Sequence, residues 1–324
     1  MIFAAFNEES VIRQKIEASL KTDYPAGKLS LCIGSDASSD RTDGIIKELQ
    51  KVFTTSNSSA FETRTGKAAI INDLVRQSEA ELLLLTDANI IFNRATIPHL
   101  VQAMQNPKVG IAGGEINYAQ VGQHGISRQE DLYLRWENQL KKIESTVFGC
   151  AMGVEGGCYL IRKGLFPGIP PRYYMEDFYV SLSVLKSGYQ VRIAPHARCS
   201  EDVSTHSTEE YKRKVRISIG NFQNLRSFGK LILSRFFPLG FIFLSHKVLR
   251  WLTPFFLLTL MVCSTLLAPT GLFYALFAGL YMILIGLGLF GILFSQKRFA
   301  GNSKISRPFY LHELSIVRGV CNFH

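Results

Sequence analysis

The run Leu82-Leu83-Leu84-Leu85-Thr86-Asp87-Ala88-Asn89 decides how most of this chain is read. Four consecutive leucines are too short for a helix and suit a strand buried on both faces, and the run ends abruptly in an acid and an amide. Outward from it, short apolar runs alternate with amphipathic stretches. Met1–Phe6 reads as a strand, and Ser10–Leu20 as a helix with Val11, Ile12, Ile16 and Leu20 on one face. Leu29–Ile33 is the next strand, Gly44–Phe53 and Ala68–Ser78 are helices, and Glu81–Leu85 is the strand quoted above. This order predicts an α/β fold over residues 1–205, a parallel sheet with helices on its faces. Ligands of such sheets gather at the carboxyl ends of the strands. Asn7-Glu8, Asp36-Ala37-Ser38-Ser39-Asp40 and Asp87-Ala88-Asn89 all follow strands, so three polar clusters are expected on one edge.

The composition of the 324 residues, 47% hydrophobic and 19% charged, hides a split. Between Arg250 and Lys297 there is no Asp, Glu, Lys or Arg. A spanning helix needs about 20 apolar residues, so this tract holds two. They are expected near 251–268 and 272–294, with Pro269-Thr270-Gly271 as the turn; the competing reading is a buried helical hairpin of a soluble core. Lys247 and Arg250 precede the pair, and Lys297, Arg298, Lys304 and Arg307 follow it, which places both ends in the cytoplasm. Four regions are therefore expected: a catalytic domain over 1–205, basic amphipathic and interfacial helices over 206–250, two transmembrane helices over 251–295 and a cytoplasmic segment over 296–324. Within the second, Glu209–Ile219 reads as a helix with cations along one face. Phe236–Leu244 is aromatic, uncharged and too short to span, as expected of a helix lying in the membrane interface.

A formal net charge of +10 suits an anionic membrane surface or phosphate-bearing substrates. Nucleic acid is not an expected partner, since zinc spacing, an RRM-type aromatic pattern and a sustained basic helix are all missing. The six cysteines (Cys32, Cys150, Cys158, Cys199, Cys263, Cys321) form no C-x-x-C pair and read as reduced, structural thiols. No signal peptide is legible before Asn7. The first strand begins almost at Met1, as expected of a chain shortened there.

Five groups carry candidate chemistry. Asp36 and Asp40 lie in a Ser-rich loop, where carboxylates can accept hydrogen bonds from a nucleotide's base and ribose; Asp40 reads equally as the N-cap of the helix near Thr42. Gly66-Lys67 puts an ammonium at a helix start, which favours a diphosphate. Asp87 and Asn89 can coordinate Mg²⁺ or Mn²⁺ bridging two phosphates, or close an Asx turn. Glu176-Asp177 opens a helical pattern; paired acids suit a helix N-terminus, and one of them can remove a proton from an attacking hydroxyl. Arg213-Lys214-Val215-Arg216 is a solvated face, an interface anchor or a set of cations for a departing diphosphate.

Together, Ala5-Phe6-Asn7-Glu8, Ser35–Asp40, Gly66-Lys67, Thr86–Asn89 and Glu176-Asp177 resemble the family 2 glycosyltransferases. The likeness is to the membrane-bound branch of cellulose, hyaluronan and poly-N-acetylglucosamine synthases, over roughly residues 1–225. The resemblance implies a GT-A fold, a nucleotide-diphospho-sugar donor (a UDP-sugar), a divalent metal and inversion at the anomeric carbon. It implies Asp177 as base beside Glu176, Asp87 and Asn89 toward the metal, and Asn7, Glu8, Asp36, Asp40, Lys67, Arg213 and Arg216 on the donor side. A glycan or lipid-linked acceptor, an inner (plasma) membrane location with multiple passes and a cytoplasmic catalytic domain, and oligomer or polysaccharide-export partners belong to the same expectation. Members of the branch commonly carry Gln-x-x-Arg-Trp, where this chain reads Arg213-Lys214-Val215-Arg216-Ile217. Loss of the Trp speaks against long-chain polymerisation. Two other classes compete: a catalytically silent GT-A-like membrane scaffold or partner-binding subunit, and a nucleotidyltransferase. The latter would need a glycine-rich loop after the first strand, and Ala4–Ser10 contains no glycine.

Overall fold

In the computed structural model, which describes residues 1–52, 56–118, 128–201 and 207–298, the sheet grows outward from the N-terminal strand. The elements run β1 (Ile2–Ala5), α1 (Ile12–Leu20), β2 (Leu31–Asp36), α2 (Thr42–Val52), β3 (Ser56–Phe61), α3 (Lys67–Gln77) and β4 (Leu82–Thr86). Then come β5 (Ile90–Phe92), α4 (Thr96–Ala103), β6 (Val109–Tyr118), α5 (Arg128–Phe148), β7 (Cys158–Arg162), α6 (Glu176–Lys186) and β8 (Gln190–Glu201). The strand order is β3-β2-β1-β4-β7-β6-β8-β5.

The first four strands of that order are parallel, as expected. Beyond β4 the expectation of a parallel sheet gives way to a mixed one. β7 runs antiparallel to both β4 and β6, β8 is parallel to β6, and β5 is antiparallel to β8. The four leucines behave as read: Leu83, Leu84 and Leu85 are all buried, with β1 on one side of the strand and β7 on the other. Helix and strand ends shift by one to three residues from their expected places, the largest shift being at the end of β2, which runs to Asp36 and not Ile33. β3, with the sequence Ser-Asn-Ser-Ser-Ala-Phe, was not expected, because it has no apolar alternation to read.

The core lies under β1, β2 and β4. Phe3, Ile12, Ile16, Leu31, Ile33 and Leu84 are among its buried members. α1 turns Ile12, Lys15, Ile16 and Ser19 inward, an arc of helical period that includes a lysine.

The chain divides into two compact units: Met1–Thr205 with Gln223–Phe243, and His206–Phe222 with Leu244–His324. α7 (Ser207–Phe228) extends the expected basic helix by more than two turns and contributes to both. α8 (Leu231–Ser234) follows, and then turns of π type over Phe236–Gly240 and Phe243–Val248. Phe236, Phe237 and Phe241 are exposed while Leu239, Ile242 and Phe243 are buried. α9 (Leu249–Leu267) and α10 (Leu272–Arg298) are joined by a turn at 268–271. One helical run, Phe236–Thr270, is long and apolar enough to cross a membrane, and little of it is buried. The apolar stretch Leu272–Gly288 of α10 is shorter than a span. Among the described residues one run, and not the expected two, is thus long and apolar enough for a span. Phe53, Lys304, Arg307, Cys321 and the rest of the C-terminal segment beyond 298 lie outside the described residues. Cys32, Cys150, Cys158, Cys199 and Cys263 are all free thiols, as expected.

Candidate active site

Parallel register brings the ends of β1 and β2 level, Ala5 opposite Ser35, so the loops that follow meet. They are stitched side chain to backbone. Asn7 Oδ1 accepts from Ser39 N at 2.9 Å, and Asn7 N donates to Ser38 Oγ at 3.2 Å. Glu8 N donates to Thr42 Oγ1 at 2.9 Å. Asp40 Oδ2 accepts from Glu9 N at 3.1 Å, and its Oδ1 accepts from Thr42 N at 3.0 Å and Thr42 Oγ1 at 2.5 Å. Asp40 therefore matches the capping alternative at the start of α2. Asn7 and Ala37 both have φ of 54°, so each loop leaves its strand through a left-handed residue.

Asp36, at the end of β2, is buried and accepts from Thr65 N at 2.6 Å and Gly66 N at 3.2 Å. Arg64 Nε lies 3.3 Å from its Oδ2, and the Arg64 guanidinium stacks 3.3 Å over the exposed Phe6 ring. Phe6, Asp36 and Arg64 thus form a flat, partly open face of the kind a nucleobase can stack on. Gly66 enters α3 at φ of 88°, a conformation that strains any residue with a Cβ. Arg64 and Thr65 are not legible in the sequence, since a loop returning to the end of β2 leaves no periodic trace, and Phe6 is legible only as a member of the motif Ala5-Phe6-Asn7-Glu8.

Lys67, the first residue of α3, brings two distant clusters together. Its Nζ lies 2.7 Å from Asp87 Oδ1 and 2.6 Å from Glu176 Oε1. Burial works against the ammonium, but the charges of Asp87 and Glu176 outweigh it and hold the group well above the usual lysine value. Glu8 is drawn into the same field: burial, then Asp87 and Asp40, raise its carboxyl above the ordinary value.

Glu176 and Asp177 occupy the first turn of α6, after Met175 at φ of 56°. The backbone before them is fixed by α7, where Gln223 Oε1 accepts from Tyr174 N at 2.9 Å and Tyr173 OH bonds Asn224 and Ser227. Burial and then the neighbouring Glu176 push the Asp177 carboxyl up to about 7, against the lowering pull of the Phe178 N–H and Lys67. Gly156 packs directly against it, and Glu155 beside that glycine pairs with Lys141 at 2.7 Å.

Asp87 and Asn89 end up on one turn, with Asn89 Nδ2 donating to Glu201 Oε1 at 3.1 Å. Among the described residues no group of three or more His, Cys, Asp or Glu could hold a metal. One carboxylate and one carboxamide fit a divalent ion that arrives with a diphosphate, since Mg²⁺ is commonly held by one or two carboxylates plus substrate phosphates. Arg213 and Arg216 are exposed on α7 within His206–Phe222, part of the second unit, whereas all the groups above belong to the first.

The model of Glycosyl transferase family 2 matches residues 1–167, more than half of the chain, and that of Glycosyl transferase family group 2 matches 85–293. The chain belongs to glycosyl transferase family 2. This family 2 chain is 23% identical over 229 residues to an N-acetylglucosaminyltransferase of Bradyrhizobium diazoefficiens, covering 66% of the chain and 46% of that protein. It is 24% identical to the probable glycosyltransferase YdaM of Bacillus subtilis, covering 74% of the chain and 58% of that protein. It is 23% identical to the poly-beta-1,6-N-acetyl-D-glucosamine synthase of Staphylococcus epidermidis, covering 69% and 54%. The chain thus spans about half the length of these relatives. Among solved structures, the mannosyltransferase PcManGT of Pyrobaculum calidifontis, in complex with GDP-Man and Mn²⁺, superposes with a TM-score of 0.70 at 19% identity, over 99% of this chain and 85% of that one. The mixed sheet is therefore of GT-A type.

Proposed function

We propose that this family 2 chain is a membrane-anchored, inverting glycosyltransferase that moves a sugar from a nucleotide-diphospho-sugar, read as a UDP-sugar, to a hydroxyl of a glycan or lipid-linked acceptor. The observation that carries the reading is the single cluster in which Lys67 joins Asp87 to Glu176, with Asp177 beside it at a carboxyl value near neutrality. A base poised near the working pH is what deprotonation of a weakly acidic hydroxyl requires.

In this reading Asp36, with Arg64 and Phe6, receives the nucleobase, and Asn7, Glu8 and Asp40 shape the loops around the ribose. Lys67 faces the diphosphate, and Arg213 and Arg216 are further candidate cations for it. Asp87 and Asn89 would hold a divalent ion, Mg²⁺ or Mn²⁺, which when bound supplies charge neutralisation for the diphosphate. Asp177 takes the acceptor proton as the acceptor oxygen attacks the anomeric carbon from the face opposite the diphosphate. The anomeric C–O bond breaks with its electron pair going to the nucleoside diphosphate, whose charge Lys67 stabilises. One displacement needs one base and no second nucleophile, hence inversion.

Anchoring is assigned to the run Phe236–Thr270, with the catalytic unit on the cytoplasmic, cation-rich side. An envelope or surface polysaccharide of the bacterial type is the matching product, supported by the named activities of the relatives. The reading is tested by UDP and GDP release from detergent-purified protein across a panel of nucleotide-sugars, with acceptor extract and with Mn²⁺, Mg²⁺ or EDTA. Metal-dependent release from one donor supports it. Silence from every donor in the presence of acceptor extract overturns it in favour of a scaffold.

A further inference from the structure

Behind the turn that presents Asp87 and Asn89 lies a lysine to which the chemistry above gives no role. Lys15 of α1 is completely buried. Its Nζ donates to Thr86 Oγ1 at 2.8 Å and to Ile90 O at 2.5 Å. These two acceptors are the residues immediately before Asp87 and immediately after Asn89. One amino group thus spans the base of the turn from end to end. The Thr86 hydroxyl, having accepted, donates onward to Asp87 O at 3.4 Å, and Ile90 N closes the turn to the same oxygen at 3.3 Å. Two aromatic rings also face the amine, with Nζ 4.0 Å from the Phe92 ring centroid and 5.7 Å from that of Phe3, and the thiols of Cys158 and Cys199 lie near enough to act on its charge.

Packing alone does not explain a lysine here. The neighbours on its helix face, Ile12 and Ile16, are apolar, and a methionine would fill a similar volume without the cost of taking an amine out of water. What the amine supplies is two directed donors to a short loop whose own closure is a single backbone bond. The amine carries two N–H groups and the ammonium three, so both acceptors can be served in either charge state.

We propose that Lys15 is a positioning residue for donor binding: it clamps Thr86 to Ile90 and so holds Asp87 and Asn89 in one geometry toward the diphosphate and its divalent ion. The proposal rests on the reading of Asp87 and Asn89 as donor-side groups. Groups that orient a metal ligand from behind typically matter by about 10–100-fold in affinity or activity when removed.

The test uses full-length protein in detergent and measures Mn²⁺-dependent binding of UDP, or of GDP if the wild type prefers it, by calorimetry. Hydrogen exchange at the Ile90 amide is followed in parallel. The variants are Lys15→Met, Thr86→Val, Ile16→Ala and Asp87→Asn. Ile16→Ala opens a cavity on the same helix face without touching the turn, and so reports the effect of lost stability alone. Expected is a loss of about tenfold or more in metal-dependent nucleotide affinity for Lys15→Met, with faster exchange at Ile90, while Ile16→Ala keeps both near wild type at equal or lower Tm. If Lys15→Met does not fold, Thr86→Val carries the test, with a smaller loss in the same direction. Unchanged affinity in Lys15→Met alongside a loss in Asp87→Asn overturns the clamp and leaves the donor-site reading standing. Losses that merely follow Tm, equal in Lys15→Met and Ile16→Ala, overturn it as well. Unchanged affinity in Asp87→Asn removes the donor-site reading itself, and the clamp with it.

Discussion

Gly156 stands against Asp177 so closely that a Cβ at position 156 would lie 3.2 Å from Asp177 Oδ2. The carboxylate of the proposed base is therefore backed on the Gly156 side by bare main chain. Gly156→Ala forces Asp177 to shift by a few tenths of an ångström. Since misplacement of a catalytic group costs rate steeply, kcat is expected to fall about tenfold or more, equivalent to about 1.4 kcal/mol in the barrier. Donor affinity, measured by nucleotide binding, should stay within about twofold, because a shift confined to the base leaves the donor's contacts in place. An unchanged kcat would remove the argument that Asp177 is the base.

The pH dependence follows from the raised Asp177 carboxyl. Its folded value, about 7, lies above the ordinary carboxylate value, so the ionised form is disfavoured by the fold. Turnover is expected to rise as pH increases through about 7 and to level off above it. Stability runs the other way. The cost of holding the anion is absent below the unfolded value of about 3.9, grows between the two, and is complete above the folded one. Asp177→Asn should abolish transfer, leave donor binding intact and raise Tm at pH 8, with no gain at pH 4. A mutant less stable than wild type at pH 8 would contradict the shift.

Lys67 pairs with two carboxylates at once, so its removal leaves Asp87 and Glu176 facing each other without the shared cation. Lys67→Met should weaken nucleotide binding about tenfold or more, since a charge-assisted contact to the diphosphate goes with it. Lys67 is also one of the influences that lower the Asp177 carboxyl. The acid limb of the pH–rate profile should accordingly move to higher pH in this variant. A limb that stays in place would separate Asp177 electrostatically from Lys67.

Asp40 and Asp36 should part company under substitution. Asp40→Ala removes the cap of α2 and is expected to cost about 1 kcal/mol of stability, read as a lower Tm, with donor affinity changed less than about threefold. Asp36→Ala frees the backbone of Thr65 and Gly66, which position Lys67, and should cost donor affinity at least about tenfold. Equal effects on affinity would restore Asp40 to direct contact with the nucleotide.

The legibility of this chain was uneven for physical reasons. The strands of the parallel half announced themselves because burial on both faces demands unbroken apolar runs, Leu82–Leu85 above all. The acids at their ends followed, because parallel register aligns strand ends. β3 stayed hidden, as a polar edge strand obeys pairing and not periodicity, and the switch to antiparallel pairing at β7 leaves no mark in local sequence. In the site, Asp36, Lys67, Asp87, Glu176 and Asp177 were found as separate motifs, yet the contact joining Lys67 to Glu176 spans more than a hundred residues and cannot be read locally. Lys15 was passed over because a lysine on a helix is ordinarily taken to face water. Its position between Ile12 and Ser19 on the inward arc was the available signal.

The two margins of the sheet have a consequence for how copies of this protein can meet. At one margin β3 has the sequence Ser-Asn-Ser-Ser-Ala-Phe, polar over its first four residues. At the other, β5 is three residues long and pairs with Cys199, Ser200 and Glu201 of β8, Val191 near the start of that strand is bridged by Cys150, and Pro195 between them has no amide hydrogen to give. Short, polar or proline-bearing margins are poor templates for a further strand. Neither border, among the described residues, invites edge-to-edge stacking, so aggregation by strand addition is disfavoured at high local concentration.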